Sequence, residues 1–144
     1  MQALRLRRLS SWQNSLKKLN SEIVVHKNYG LPAKIKKMRR TLIVCISYSG
    51  NTEETLNAYS QALIGKYPVF AITSGGKLEQ IAKKSKNPLI LVPAEMPPRF
   101  ALGYQLVALT GLFIKIGLIS KKEQALIVKA AQQIKYSALK RLSL

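Results

Sequence analysis

A continuous run of apolar and β-branched residues at 41–47 (TLIVCIS) constrains the fold of this chain more than any other feature. Strands that are buried on both faces, as in parallel sheets, have this pattern. Strand-like and helix-like segments alternate along the rest of the sequence, so the chain is predicted to be α/β, a three-layer sandwich around a parallel sheet. The predicted strands are 22–26, 41–47, 69–73 and 89–92, and the predicted helices are 51–64, 76–84, 99–116 and 121–139.

Composition excludes several kinds of site. The 144 residues include six Glu, no Asp, one Cys and one His. These counts exclude a Cys/His zinc cluster, an Asp-dependent magnesium or calcium site and an intrachain disulfide. Since 47% of the residues are hydrophobic, the chain can bury the core of one domain. The single thiol favours a reducing, cytoplasmic location.

Basic charge is concentrated at the two ends of the chain. The formal net charge is +18: residues 1–40 hold 11 basic and 1 acidic side chains, 41–100 hold 6 and 4, and 101–144 hold 7 and 1. No zinc-knuckle spacing or aromatic-rich basic strand accompanies this charge, which disfavours nucleic acid as a partner. No apolar run reaches the roughly 18 residues of a membrane span, which argues against a membrane partner.

Polar loops follow the predicted strands at their carboxyl ends, where ligands bind to open α/β sheets. The first, 47–52 (SYSGNT), supplies hydroxyl groups, a glycine that permits a tight turn, and the N-terminus of the next helix. This combination predicts an anion cradle, with helix capping by the same side chains as the alternative. The loop lacks the Lys of a GxxxxGK[ST] nucleotide loop.

Two further loops lie at the same predicted edge. The segment 73–77 (TSGGK) joins a strand to a helix, and an ordinary turn is the alternative interpretation. The segment 93–104 (PAEMPPRFALGY) carries Arg99 directly after two prolines that stiffen the backbone. An Arg at the mouth of an anion pocket suits a phosphate or a developing enolate oxyanion, and a solvated residue at a helix start is the alternative.

Three motifs in this order resemble the bifunctional phosphoglucose/phosphomannose isomerase family of sugar isomerase (SIS) domains. They are SYSGNTEET at 47–55, AITSGGKLEQIA at 71–82 and VPAEMPPRFALGYQ at 92–105. The stretch KNYGLP at 27–32 is similar to the family's lead-in to its second strand. The resemblance extends over about residues 20–119.

The resemblance implies a fold and a reaction. The family has a five-stranded parallel sheet in a flavodoxin-like order, two such domains per chain, and a dimer. It interconverts aldose and ketose phosphates through a cis-enediol(ate), with no metal or cofactor. By this resemblance Ser47, Ser49 and Thr52 hold the phosphate of a hexose 6-phosphate, and Arg99 is the catalytic residue that stabilises the enediolate.

The first departure from the family is at the start of the chain. The family opens with a strand and a GMGGS-type loop, whereas residues 1–8 (MQALRLRR) place three Arg where an inner strand needs apolar residues. The sheet is therefore predicted to lack its first strand, with a gap or an unpaired edge between 22–26 and 41–47. The predicted organisation is a basic segment with an amphipathic helix at 1–20, an SIS domain at 21–119 and a C-terminal helix at 120–144.

The second departure concerns the chemistry. The family's general base, a Glu, and its ring-opening His belong to the second domain, and the sequence stops at Leu144. The chain therefore resembles a truncated or split N-terminal half, active only with a separate chain that carries those groups. His26 does not match the family's His, and Glu95 is the best remaining base candidate.

Two other functions stay open from the sequence. SIS domains also serve in regulators, so a non-catalytic sugar-phosphate sensor or interaction module is one alternative. A decayed fragment or a basic nucleic-acid-binding module is the other. A homodimer is also compatible with the resemblance.

Overall fold

Three parallel strands form a sheet within the described residues. The computed structural model describes residues 22–37 and 41–142. The strands are β1 (Ile43–Ile46), β2 (Val69–Thr73) and β3 (Leu89–Leu91), in the order β1-β2-β3. A short 3-10 helix (Ala33–Lys37) precedes the sheet. The α-helices are α1 (Glu53–Ile64), α2 (Gly76–Lys84), α3 (Pro98–Lys115) and α4 (Lys121–Leu142).

The described residues fall into two compact units, 22–109 and 110–142. The first contains the sheet, α1, α2 and most of α3, and the second contains the end of α3 and α4. No helix in the described parts of the chain is long and apolar enough to cross a membrane.

Alternation along the strands builds a core on each face of the sheet, because successive strand side chains point to opposite faces. Cys45, Val69 and Ala71 pack on one face with Tyr59 of α1 and Leu78 of α2. On the other face the cluster consists of Ile72, Val92 and Ala108 of α3, with partly buried neighbours. Helices therefore cover both faces, and the predicted three-layer α/β sandwich is confirmed.

The register of the strands places the loops after β1, β2 and β3 next to one another. Ile46 of β1 pairs with Ile72 of β2, and Thr73 of β2 pairs with Leu91 of β3. Since the strands are parallel, their carboxyl ends lie at one edge of the sheet. The residues that follow the strands therefore form a single cluster of loops.

The predicted strand at 22–26 is wrong. Residues 22–27 form neither strand nor helix, and Ile23, Val24 and Val25 are 47%, 43% and 40% exposed. β-branched residues favour strands only where a neighbouring strand and a buried face are present, and this segment has neither among the described residues.

A cavity of about 170 Å³ lies between this segment and β1. Val24 and His26 line this cavity together with Ile43–Ile46 of β1. In the described sheet β1 is an edge strand. The sequence predicted a gap or an unpaired edge on this side of 41–47. The residues 2–8 that bear on this prediction, and the predicted helix within 1–20, lie outside the described residues.

Ser120 and Glu123 form a capping box at the start of α4. The backbone N–H of Ser120 donates to Glu123 Oε2 at 2.8 Å, and the backbone N–H of Glu123 donates to Ser120 Oγ at 3.3 Å. This reciprocal pair satisfies two N–H groups near the N-terminus of the helix.

The thiol of Cys45 is expected to be unreactive in the folded protein. Burial between β1 and its covering helices raises the pKa of Cys45 to about 12, from an ordinary value of 9.0. At pH 8 the thiolate fraction then falls about a thousandfold, and only the thiolate reacts with iodoacetamide. Mass spectrometry should show slow alkylation in buffer and rapid alkylation in guanidinium chloride. Equal rates in the two conditions would contradict the packing of β1.

Candidate functional site

The first loop (47–52) joins β1 to α1 and brings two predicted site residues into contact. Ser47 is buried, and its backbone N–H donates to the carbonyl of Ile72 at 3.0 Å. Its hydroxyl accepts from the backbone N–H of Gly50 at 3.1 Å and lies 2.8 Å from Thr52 Oγ1. The hydroxyls of Ser47 and Thr52 are thereby held together beside the first turn of α1.

The side chains of this loop do not cap the helix. Thr52 is the N-cap residue of α1, yet it makes no side-chain cap hydrogen bond. Ser49 Oγ accepts from the backbone N–H of Asn51 at 3.2 Å, which is a turn within the loop. The first-turn N–H groups of α1 are therefore left uncapped, at the positive end of the helix dipole.

The second loop (73–77) is locked onto the first. The N–H of Ser74 donates to the carbonyl of Tyr48 at 2.9 Å, and the N–H of Lys77 donates to Asn51 Oδ1 at 3.1 Å. The N–H of Leu78 donates to the carbonyl of Gly50 at 2.9 Å. Three hydrogen bonds between residues 26 to 28 positions apart in the sequence thus fix one loop against the other.

Close contact between the loops requires glycine at two positions. Gly50 has φ +68°, and a Cβ there would lie 1.8 Å from the carbonyl oxygen of Gly75. Gly76 has φ +72°, and a Cβ there would lie 2.3 Å from the carbonyl oxygen of Ser49. Only glycine combines the left-handed conformation with such a close approach of backbones.

Arg99 makes no hydrogen bond with Ser47, Ser49 or Thr52. It is exposed in the first turn of α3, and its guanidinium carbon is 5.1 Å from the centroid of the Phe100 ring. No hydrogen bond or ion pair joins Arg99 to a described residue. The third loop (92–97), which leads into α3, contacts the first loop through one hydrogen bond, from the N–H of Met96 to Tyr48 Oη at 3.1 Å.

The segment 27–32 docks on α1 near the site. Tyr29 Oη donates to Glu53 Oε2 at 2.8 Å, and the N–H of Gly30 donates to Asn57 Oδ1 at 2.8 Å. The hydrogen bond to Glu53, together with the charge of that carboxylate, raises the pKa of the Tyr29 phenol.

His26 Nε2 lies 3.5 Å from the carbonyl oxygen of Tyr29, and Glu95 is exposed. Within the described parts of the chain, no group of three or more His, Cys, Asp or Glu side chains could hold a metal.

Sequence reasoning missed the residues that connect the loops. Asn51 bonds to the second loop, Thr73 Oγ1 donates to the carbonyl of Gly75 at 2.9 Å, and Tyr48 contacts both other loops. Thr73 could have been identified from the sequence, because it places a hydroxyl at the end of a buried strand. Nothing in the sequence indicated the phenol of Tyr48, because its partner is 48 residues away.

The fold and these loops define a class: a three-layer α/β domain with hydroxyl- and glycine-rich loops and an uncapped helix N-terminus at the carboxyl edge of a parallel sheet. No family model matches the chain. The chain is 44% identical over 104 residues to a bifunctional phosphoglucose/phosphomannose isomerase of Caldicellulosiruptor bescii. The matched residues make up 72% of this chain and 30% of that protein.

Two other relatives agree. A bifunctional phosphoglucose/phosphomannose isomerase of Aquifex aeolicus is 41% identical over 87 residues, or 60% of this chain and 27% of that protein. A D-glucosamine-6-phosphate 4-epimerase of Sulfolobus acidocaldarius is 42% identical over 66 residues, or 45% of this chain and 22% of that protein. The matched part of this chain is a partial domain of the bifunctional phosphoglucose/phosphomannose isomerase family. The chain spans less than a third of the length of these relatives.

Replacing Gly50 with Ala should destabilise the loop cluster. The added Cβ meets the backbone of Gly75 and sits at a positive φ. The left-handed conformation alone costs alanine about 1–2 kcal/mol, so we expect a total loss of about 2–4 kcal/mol in urea unfolding.

Gly103→Ala is the matched control. A Cβ at Gly103 meets nothing within 4 Å, and the residue lies inside α3. This variant should be more stable by about 0.5–1 kcal/mol. Equal effects of the two substitutions would show that the loops are not packed as described.

Proposed function

We propose that this domain binds a hexose 6-phosphate, with the phosphate held by Ser47, Ser49, Thr52 and the first-turn N–H groups of α1. The observation that carries the proposal is the 2.8 Å contact between the hydroxyls of Ser47 and Thr52 beside an uncapped helix N-terminus. Such a terminus favours phosphate through its free donors and its dipole. The names of the relatives support a phosphorylated sugar as the ligand.

One hydroxyl proton of the Ser47–Thr52 pair is available to donate to a ligand. Ser47 and Thr52 carry one hydroxyl proton each, and either oxygen can be the donor in the bond between them. That bond uses one proton and leaves the other for a ligand oxygen. Thr52 and Ser49 are exposed, so both are accessible to a bound anion. Hydrogen bonds to an ionised acceptor are stronger than those between neutral groups.

In this proposal the reaction is aldose–ketose isomerisation of glucose or mannose 6-phosphate, through a cis-enediol(ate). A base moves a proton between C1 and C2, and Arg99 stabilises the negative oxygen that develops. No described carboxylate neutralises Arg99, which leaves its charge available for that oxygen.

The 144 residues are proposed to be catalytically incomplete by themselves. A positioned base typically contributes about 10²–10⁴-fold to such a step. The base Glu and ring-opening His that the resemblance implies belong to a second domain, and His26 is hydrogen-bonded toward Tyr29 instead. We infer that these groups come from further residues or a separate chain. The binding domain in this proposal is 21–119, with 120–144 as a C-terminal helix.

Exposed apolar side chains on α3 support a protein partner. Phe100, Leu102, Leu106 and Val107 are 62%, 68%, 61% and 72% exposed. Large apolar side chains that stay exposed along one helix are compatible with a contact to another protein. A chain with the second SIS domain, or a second copy of this chain, is the proposed occupant. A cytoplasmic location is proposed from the single buried thiol.

Thr52→Val should weaken sugar-phosphate binding. The wild-type protein is expected to melt at a higher temperature with glucose 6-phosphate, because ligand at 100 times Kd stabilises by about 2.7 kcal/mol. The variant removes one donor to a charged ligand, a loss of about 1.5–3 kcal/mol, so its affinity should fall at least tenfold by calorimetry.

Thr41→Val is the matched control. Thr41 Oγ1 is buried and has no hydrogen-bond partner among the described residues, so its loss should leave affinity unchanged and stability equal or higher. Failure of every hexose 6-phosphate to raise the melting temperature of the wild type would contradict the proposal. In that case strongly salt-dependent binding of DNA or RNA would favour a nucleic-acid function.

Isomerase activity of the pure chain should be close to background. Turnover of fructose 6-phosphate that disappears in Glu95→Gln would overturn the proposal of incomplete catalysis.

A further inference from the structure

Tyr48 is the one residue of the first loop that bonds to both other loops by different atoms. Its carbonyl oxygen accepts from the N–H of Ser74 at 2.9 Å and from Ser74 Oγ at 2.6 Å. Its phenol oxygen accepts from the N–H of Met96 at 3.1 Å. A single residue therefore lies where all three loops meet.

Packing fixes the direction of this side chain. The ring of Tyr48 is partly buried against the cluster of Ile72, Val92 and Ala108, on the α3 face of the sheet. Ring packing costs the side chain its rotamer freedom, so the phenol presents its oxygen at a defined point. The hydrogen bond to Met96 is thus made from a rigid support.

The third loop has little else to fix it. The N–H of Val92 bonds to Thr73 at 2.9 Å as the strand ends, and the N–H of Phe100 bonds to Pro97 as α3 begins. Between them, the N–H of Met96 makes the hydrogen bond that ties the loop to the first loop. Pro93 and Pro97 have no N–H to offer. Glu95 holds φ +66°, a conformation unfavourable for a residue with a Cβ.

We propose that Tyr48 is a positioning residue that sets the third loop, and with it Arg99, relative to the phosphate cradle. Arg99 follows Met96 by three residues, across the stiff Pro97-Pro98 pair. This inference rests on the proposed function and refines it. The hydroxyls of the first loop bind the phosphate. Tyr48 places Arg99 so that its guanidinium contacts the sugar oxygens of the bound substrate as well as the oxygen that develops charge in the reaction.

Tyr48→Phe separates these two roles, because it deletes the phenol oxygen and keeps the ring. Calorimetry with inorganic phosphate and with glucose 6-phosphate should show phosphate affinity within twofold of the wild type. Affinity for glucose 6-phosphate should fall about fivefold, as expected for one lost neutral hydrogen bond. Equal changes for the two ligands, or no change for either, would overturn the inference and leave the proposed function standing.

Tyr59→Phe is the matched control. The hydroxyl of Tyr59 lies 3.2 Å from Ser85 Oγ and 3.1 Å from Asn87 Nδ2, at the turn after α2. Its loss should lower the melting temperature without changing either affinity. An effect of Tyr59→Phe on ligand discrimination equal to that of Tyr48→Phe would mean that general stability, not loop position, is responsible.

A double-mutant cycle of Tyr48→Phe with Arg99→Ala measures whether the two residues are coupled in glucose 6-phosphate affinity. A purely structural role of Tyr48 would give no such coupling. Arg99 is exposed, so this variant should fold and should also lose glucose 6-phosphate affinity selectively. The double variant should bind no more weakly than Arg99→Ala alone, because Tyr48 acts through Arg99. Additive losses, or no loss in Arg99→Ala, would overturn the inference. A wild type that binds neither ligand would overturn both the inference and the proposed function.

Discussion

The contact between the backbones of Gly50 and Gly75 is the constraint on which the candidate site depends. A methyl group at Gly50 would reach within 1.8 Å of a carbonyl oxygen, so the two loops touch with no side chain between them. This approach lets Asn51 and Tyr48 bond to backbone groups of the second loop. It also holds the first loop in the turn that places Ser47 beside Thr52. The hydroxyl pair is therefore a product of backbone packing.

Much of the fold could be predicted because parallel sheets have a strong sequence pattern. The apolar run at 41–47 and the alternation with helices are enough to predict β1, β2 and β3 and the edge where the loops meet. The Ser120 capping box was predictable for the same reason, since it involves residues three apart. Local patterns carry local structure.

Features that depend on distant partners were not predictable in this way. The segment 22–26 has strand-like residues, but a strand also needs a neighbour, and the described structure supplies none. Thr52 has the residue type and position of a helix cap, yet its hydroxyl lies against Ser47 instead. The phenol of Tyr48 bonds across 48 residues. In each case a tertiary contact overrides a local preference.

The makeup of the hydroxyl cluster has a consequence for acidity. Serine and threonine hydroxyls and backbone N–H groups keep their protons throughout the physiological range, so the donors themselves do not change with pH. The variable partner is the proposed ligand, whose phosphate loses its second proton near pH 6. The affinity of the site should therefore depend on the ionisation of the phosphate, with the dianion bound more tightly than the monoanion.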